Sequence, residues 1–238
     1  MDIDDPVPYQ PEHNDVSAFD CGSEAQTRWL RQSARTAQAA GTARVYVVTR
    51  AGRPQVVGYH ALAAAAISHE DAPPALLKSA GCSPVPIILL ARLGVDLTSQ
   101  GQGLGTALVK DAMLRASQAA QIVEARAFVI HAESEQARAF YLHLAEFDVS
   151  PTDPLHLMLL MSEVAQILGD AQTRRLAERT HTTAGSLARS LLSSALDEAD
   201  PDPRNVTDLL DRIDGAWEDA LRGTAEADAG EGTPLEEL

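Results

Sequence analysis

The run Ile87-Ile88-Leu89-Leu90-Ala91-Arg92-Leu93-Gly94-Val95, followed by Gln100-Gly101-Gln102-Gly103-Leu104-Gly105, decides the fold. The first part is a continuous apolar stretch of strand length, the pattern of a strand buried on both faces and therefore central in its sheet. The second opens a stretch from about Gly103 to Ala119 in which Leu104, Ala107, Leu108, Ala112 and Leu114 recur near helical spacing. Strand, glycine turn and helix in that order make an anion site. The first N–H groups of a helix lack intrahelical partners and sit at the positive end of its dipole, and glycine lets the backbone approach a ligand closely. A pyrophosphate fits such a turn; on spacing alone, a plain tight turn fits as well. A Walker loop is excluded because no Lys-Ser/Thr follows the last glycine, and a dinucleotide fold because no strand–helix–strand unit begins the chain.

Upstream, Ser23 caps a helix expected from Glu24 to about Ala40 that stops at Gly41. Val45 to Val48 and Val56 to His60, joined by Ala51-Gly52-Arg53-Pro54, read as a hairpin, and a Pro- and Gly-containing connection through Asp71, Pro73, Pro74 and Gly81 leads into the central strand. Downstream come a strand at Ala127 to Ile130, a helix from Ser134 to about Leu144, and a strand pair at Phe147 to Val149 and Leu157 to Met161. The class is α/β, a mixed sheet flanked by helices.

The 238 residues carry 45% hydrophobic but only 4% aromatic side chains, so the core is built from Ala, Leu, Val and Ile. No apolar run is long enough to span a bilayer and the acidic start is unlike a secretory leader, which gives the expectation of a cytoplasmic protein without membrane contact. Cys21 and Cys82 lack the spacing of metal ligands, and no metal site is expected. Net charge is −15, unevenly spread: residues 1–162 hold 12 Lys+Arg against 17 Asp+Glu, and residues 163–238 hold 7 against 17. The shorter segment carries most of the excess, which suits either a polyanion mimic covering a basic site or simple solubility.

The segment Gln100-x-x-Gly103-x-Gly105 resembles the acetyl-CoA loop of the GNAT acetyltransferases. Phe19-Asp20-Cys21-Gly22, Val57-Gly58-Tyr59-His60-Ala61-Leu62, Arg92-Leu93-Gly94-Val95-Asp96 and Ala139-Phe140-Tyr141 are similar to segments of GNAT toxins from bacterial toxin–antitoxin modules. The resemblance covers about residues 5–162. It implies a GNAT acyl-CoA N-acyltransferase sheet whose fourth and fifth strands splay to admit acetyl-CoA. It places pyrophosphate contacts at the backbone of Gln102, Gly103, Gly105 and Thr106, with Gln100 opening the motif, and pantetheine contacts at Leu93 and Val95. It also implies Tyr141 as general acid, whose alternative from spacing alone is a core aromatic, and aminoacyl-tRNA as acceptor.

An aminoacyl-tRNA acceptor calls for basic residues beside the cleft, for which Arg92, Arg28, Arg31, Arg35 and Arg44 are the candidates. Arg92 as a scaffold partner of Asp96 or Glu124, and the helix arginines as a solvated face, are the alternatives. His60 is the further substrate-side candidate, as a base on a strand; a lone strand histidine is more often structural. A small amine or a protein amine remains open as acceptor, as does a catalytically silent regulator that binds DNA or a separate toxin.

Residues 163–223 resemble a ribbon–helix–helix antitoxin: a strand expected at Val164 to Leu168, a helix containing Arg174 to Arg179, a turn at Thr182 to Gly185 and a helix from Ser186. The family pairs such strands in a dimer and reads DNA with them, yet this one offers Gln166 and no Lys or Arg; a plain dimerisation bundle is the alternative. A helix from Val206 to Arg222 sets Leu210, Ile213, Trp217 and Leu221 opposite acidic residues. The expected domains are therefore an acetyltransferase at 1–162, an antitoxin-like segment at 163–223 that binds it in cis or across a homodimer, and an acidic tail at 224–238.

Overall fold

The computed structural model describes residues 3–78 and 84–169. The chain divides into two units, Met1–Gln172 and Thr173–Leu238. The antitoxin-like helices, the acidic tail and Cys82 lie outside the described residues.

Seven strands form one sheet in the order β1-β2-β3-β4-β5-β7-β6. They are β1 (Val7–Pro8), β2 (Arg44–Thr49), β3 (Val56–Ile67), β4 (Val85–Val95), β5 (Ala127–His131), β6 (Asp148–Val149) and β7 (His156–Leu160). Of the pairings, β4–β5 alone is parallel. Parallel neighbours need a long crossover, and here it is the helix opened by the glycine turn. The expected hairpin, central strand and closing strand pair are all present.

On one face lie α1 (Glu24–Arg28), a π turn (Trp29–Ser33), α2 (Ala34–Ala39) and the short α3 (Pro74–Leu77). Ser23 caps α1 as expected, its Oγ accepting the Gln26 N–H at 3.2 Å. The π turn interrupts what the sequence suggests is one even helix; within it Trp29 stacks on Tyr59, with ring centroids 5.9 Å apart. The connection read as irregular contains α3, whose first residue is Pro74, where a missing N–H costs nothing.

On the other face lie α4 (Leu104–Ala120), α5 (Glu135–Leu142) and a helix, α6, over residues 161–169. α4 buries Leu104, Leu108, Val109, Ala112, Met113 and Ala116. Leu114, placed on the apolar side by spacing, is instead exposed. Ser134 caps α5, its Oγ accepting the Ala137 N–H at 3.2 Å.

The strand expected over Val164 to Leu168 is helical, which is a correction. Val164, Ile167 and Leu168 recur at three and four residues, and Val164 is fully buried in the core that α4 and α5 form with the sheet. The Glu163 carboxylate accepts the Leu160 N–H at 2.8 Å at the start of α6. A ribbon that pairs with another copy is therefore not formed at these residues. No described helix is long and apolar enough to cross a membrane.

Candidate active site

β4 carries the site on its last residues. Its pairing with β5 stops at Leu90↔Ile130, whereas its pairing with β3 continues to Gly58↔Val95. From Ala91 onward β4 has a free edge, on which the Leu93 backbone groups and the Val95 N–H are left open, while the Ala91 carbonyl accepts from Arg92 and the Val95 carbonyl from Gln100. Ala61 pairs with Arg92 while Leu62 pairs with Leu90, so Ala91 is the extra residue of a bulge. The bulge sorts the strand end into two faces. Leu93 and Val95 pack with Leu104 and Leu108 of α4, and Arg92 and Gly94 point toward α1.

A cleft of about 510 Å³ opens at the gap. Leu93, Gly94, Val95, Gln100, Gly101, Gly103, Gly105 and Thr106 line it, with Phe140 and Glu133 from the β5–α5 side and Cys21, Ser23 and Gln26 from the α1 side. Gly101 and Gly103 have φ of 71° and 81°, the left-handed region that suits glycine. The first bond of α4 runs from the Ala107 N–H to the Gly103 carbonyl at 3.1 Å, leaving the N–H groups just ahead of it without intrahelical acceptors.

The Gln100 side chain acts as a clamp, donating to the Val95 carbonyl at 2.9 Å and the Cys21 carbonyl at 3.0 Å. Gln102 is exposed; its side chain turns back toward the Thr98 carbonyl, and it does not line the cleft. The approach to the loop is fixed by Asp96, whose carboxylate accepts from the Thr98 hydroxyl at 2.6 Å, the Thr98 N–H at 3.0 Å and the Asp20 N–H at 3.1 Å. Burial pushes the Asp96 carboxyl up, but these hydrogen bonds outweigh it and hold it below the usual range.

Tyr141 is 8% exposed and packs in the core shared by α4, α5 and the sheet, edge-on to Phe140 at 5.2 Å. Burial, helped by the Glu133 charge, pushes its phenol up to about 12, so it stays protonated at neutral pH. Glu133 accepts a hydrogen bond from the Ser23 hydroxyl at 2.7 Å and so bridges the rim between the α1 and α5 sides.

The basic candidates divide. Arg92 is exposed beside the gap, its guanidinium 5.7 Å from the Trp29 ring centre. It pairs with neither Asp96 nor Glu124, the scaffold partners considered for it. Arg28 lines an adjoining depression and pairs with Glu24 at 3.1 Å, both side chains well exposed. Arg31 donates to the Ser17 carbonyl. Arg35 and Arg44 are exposed, and neither lines the cleft.

His60 requires a correction. It is fully buried on the α4 face, its Nε2 2.6 Å from an Asp111 carboxylate oxygen, and its ring stacks on Tyr46 at 5.1 Å. Alternation on β3 turns it away from the neighbouring Tyr59 and Ala61, so it does not meet substrate. Burial depresses its pKa more than Asp111 restores it. Asp111 is itself pushed up by burial, and the hydrogen bonds from His60 and Arg115 outweigh this and hold it low. Sequence reasoning did not single out Glu133, Phe140, Ser23 or Gln26 as cleft residues; each lies near a helix start or beside a motif residue, and proximity to Tyr141 or Cys21 was the available signal.

No family model matches the chain. Over 157 residues it is 45% identical to a tRNA-acetylating toxin of Mycobacterium tuberculosis (strain ATCC 25618 / H37Rv), covering 66% of this chain and 92% of that protein. Among solved structures, AtaTR bound with AcCoA is 26% identical with a TM-score of 0.60, over 70% of this chain and 98% of that one. AtaT complexed with acetyl-methionyl-tRNAfMet is 25% identical with a TM-score of 0.64, over 70% and 99%.

Proposed function

Since the chain belongs to the GNAT-family tRNA-acetylating toxins and is an N-acetyltransferase that uses acetyl-CoA, we propose that its acceptor is the amino group of aminoacyl-tRNA and its proton donor Tyr141. The observation that carries this is the free edge of β4 beside unpartnered helix N–H groups, with a buried protonated tyrosine on the helix that follows β5. Acetylated aminoacyl-tRNA no longer has a nucleophilic amine, so translation stops, and the site of action is the cytoplasm.

Bound acetyl-CoA supplies the acetyl group as a thioester. The residues present fit it: the free backbone groups of Leu93 and the N–H of Val95 suit the amides of the pantetheine arm, as an added strand would. The N–H groups of Gly103, Gly105 and Thr106 suit the pyrophosphate. Gln100 holds that loop onto β4. The chain then has modest chemistry to perform, chiefly orientation and proton transfer. The Tyr141 hydroxyl gives its proton to the departing sulfur, and the phenolate recovers one from the attacking nitrogen, so charge and protons balance. Glu133 at the rim draws in the α-ammonium of the acceptor, which gives its first proton to solvent before the neutral amine attacks.

The segment from residue 170 to 223 is proposed to silence the enzyme in cis or across a homodimer, supported by the acidity of that segment and its apolar stripe ending at Trp217 and Leu221; residues 163–169 belong to the enzyme's own core. Attachment gives such an inhibitor a high effective concentration.

The test is transfer from labelled acetyl-CoA to aminoacyl-tRNA and to deacylated tRNA, by the whole chain and by a chain ending at residue 169. Transfer to the charged species alone, faster in the shorter chain, is expected. A folded, acetyl-CoA-binding protein that transfers in neither form would overturn the acceptor assignment, and equal rates would overturn the inhibition.

A further inference from the structure

The face of the sheet toward α1 holds two separate cores. One gathers Phe19, Leu30, Val45, Val47, Tyr59 and Ala61 under α1 and α2, the other Ile67, Leu76, Val85, Ile87, Val129 and Met158 under α3. Between them the sheet is incompletely covered: Ala63 and Leu89 are only half-buried, and Arg92 and His131 are exposed. His131 ends β5 and pairs with His156 at the start of β7. Alternation from Val129 and Met158 puts both imidazoles on this face.

The two rings stack with centroids 3.7 Å apart and an angle of 18° between their planes. His156 is held by Asp153, with Nε2 3.5 Å from the carboxylate. Desolvation on its covered side and then the neighbouring imidazole push His131 down in pKa, although its other side is open to solvent. One side of the His131 ring is covered by His156. On the other side the next strand is β4, and β4 leaves the sheet pairing one residue earlier, at Leu90↔Ile130. That ring face therefore borders the gap. Across the gap stands Arg92, exposed, its guanidinium near the Trp29 indole.

An open sheet floor with an aromatic stack on one bank and a cation on the other suits a planar base attached to a phosphate. Resting on the acceptor assignment above, we propose that the His131–His156 stack seats the 3′-terminal adenine of the aminoacyl-tRNA while Arg92 meets a phosphate of the same strand end. The amino acid esterified to that nucleotide is thereby held over the gap, within reach of the acetyl group. His131 is a substrate-positioning residue in this scheme, and Tyr141 acts on the other side of the sheet.

The experiment is steady-state acetylation of aminoacyl-tRNA, aminoacyl-adenosine and an aminoacyl methyl ester by the full chain and its His131→Ala, His131→Phe and Arg92→Ala variants, with acetyl-CoA affinity measured in each as a check on folding. Wild type is expected to prefer aminoacyl-adenosine to the methyl ester. His131→Ala raises KM for aminoacyl-tRNA about tenfold, more than it lowers kcat, and removes that preference, as loss of a base–aromatic stack does. His131→Phe restores both, and Arg92→Ala weakens tRNA without changing the choice between the two small esters. If wild type acetylates aminoacyl-tRNA while His131→Ala binds it equally well, or if phenylalanine restores nothing, the stack has no such role. If neither the full chain nor the chain ending at residue 169 acetylates aminoacyl-tRNA, the acceptor assignment itself falls and this seat with it.

Discussion

On its α4 face the end of β4 meets a site made largely of backbone: the free edge at Leu93 and Val95 and the N–H groups that open α4. On its α1 face Arg92 lies over Trp29 of the π turn, and the groove proposed there adds the stacked His131 and His156 of β5 and β7, side chains drawn from distant segments. A backbone site needs consecutive residues of special conformation and leaves a motif in the sequence. A side-chain groove needs only that strands come into register, and leaves none.

Gly94 is shared by both faces, so substituting it is the largest perturbation available. A Cβ there would lie 2.7 Å from Tyr59 Cε1, within a packed group that includes Phe19 and Cys21. Gly94→Ala is expected to cost roughly 1–3 kcal/mol, read as a fall in the urea midpoint. An unchanged midpoint would show that Tyr59 is free to move and that the two faces are not rigidly joined.

Gly103→Val addresses the backbone face alone. A β-branched residue at φ 81° is strained by roughly 1–2 kcal/mol. Acetyl-CoA binding by calorimetry should weaken about tenfold while KM for aminoacyl-tRNA moves much less. Parallel losses of both would mean the faces are not separable.

How much could be read in advance follows the same division. The glycine turn, the central strand and the cap at Ser23 were legible because each depends on local conformational rules. Tyr141 is proposed only through its resemblance to a family motif, and His60 misled because its chemical type suggests function while its register on β3 turns it into the core beside Asp111. The strand expected at Val164 to Leu168 failed because a short apolar run fits either period until its packing partner is known. His131 and His156 lie 25 positions apart in the sequence and meet only through the β5–β7 pairing.

His60 also offers a test by pH. The unfolded chain takes up a proton near the ordinary imidazole value of about 6.5, whereas burial keeps the folded His60 neutral. Its contribution to stability is therefore full above that pH and is lost as pH falls below it. Urea midpoints should drop between about pH 6.5 and 5, at no more than about 1.4 kcal/mol per unit for this one proton. A His60→Gln variant should show a shallower decline, and an identical slope would mean that another group controls it. The smallest effect is expected at the rim: Arg28→Ala removes an exposed pair with Glu24 and should change stability by no more than about 0.5 kcal/mol, with transfer to tRNA within about twofold.

The proposed role of Tyr141, buried next to the cleft residue Phe140, in acetyl transfer to charged tRNA is open to single-turnover kinetics of the Tyr141→Phe chain. The phenylalanine chain should be slower by about 100- to 10,000-fold with acetyl-CoA affinity unchanged, and the wild-type rate should not fall through pH 10, because burial raises the phenol to about 12. An unaltered rate in the phenylalanine chain would contradict it and leave Tyr141 as a core aromatic.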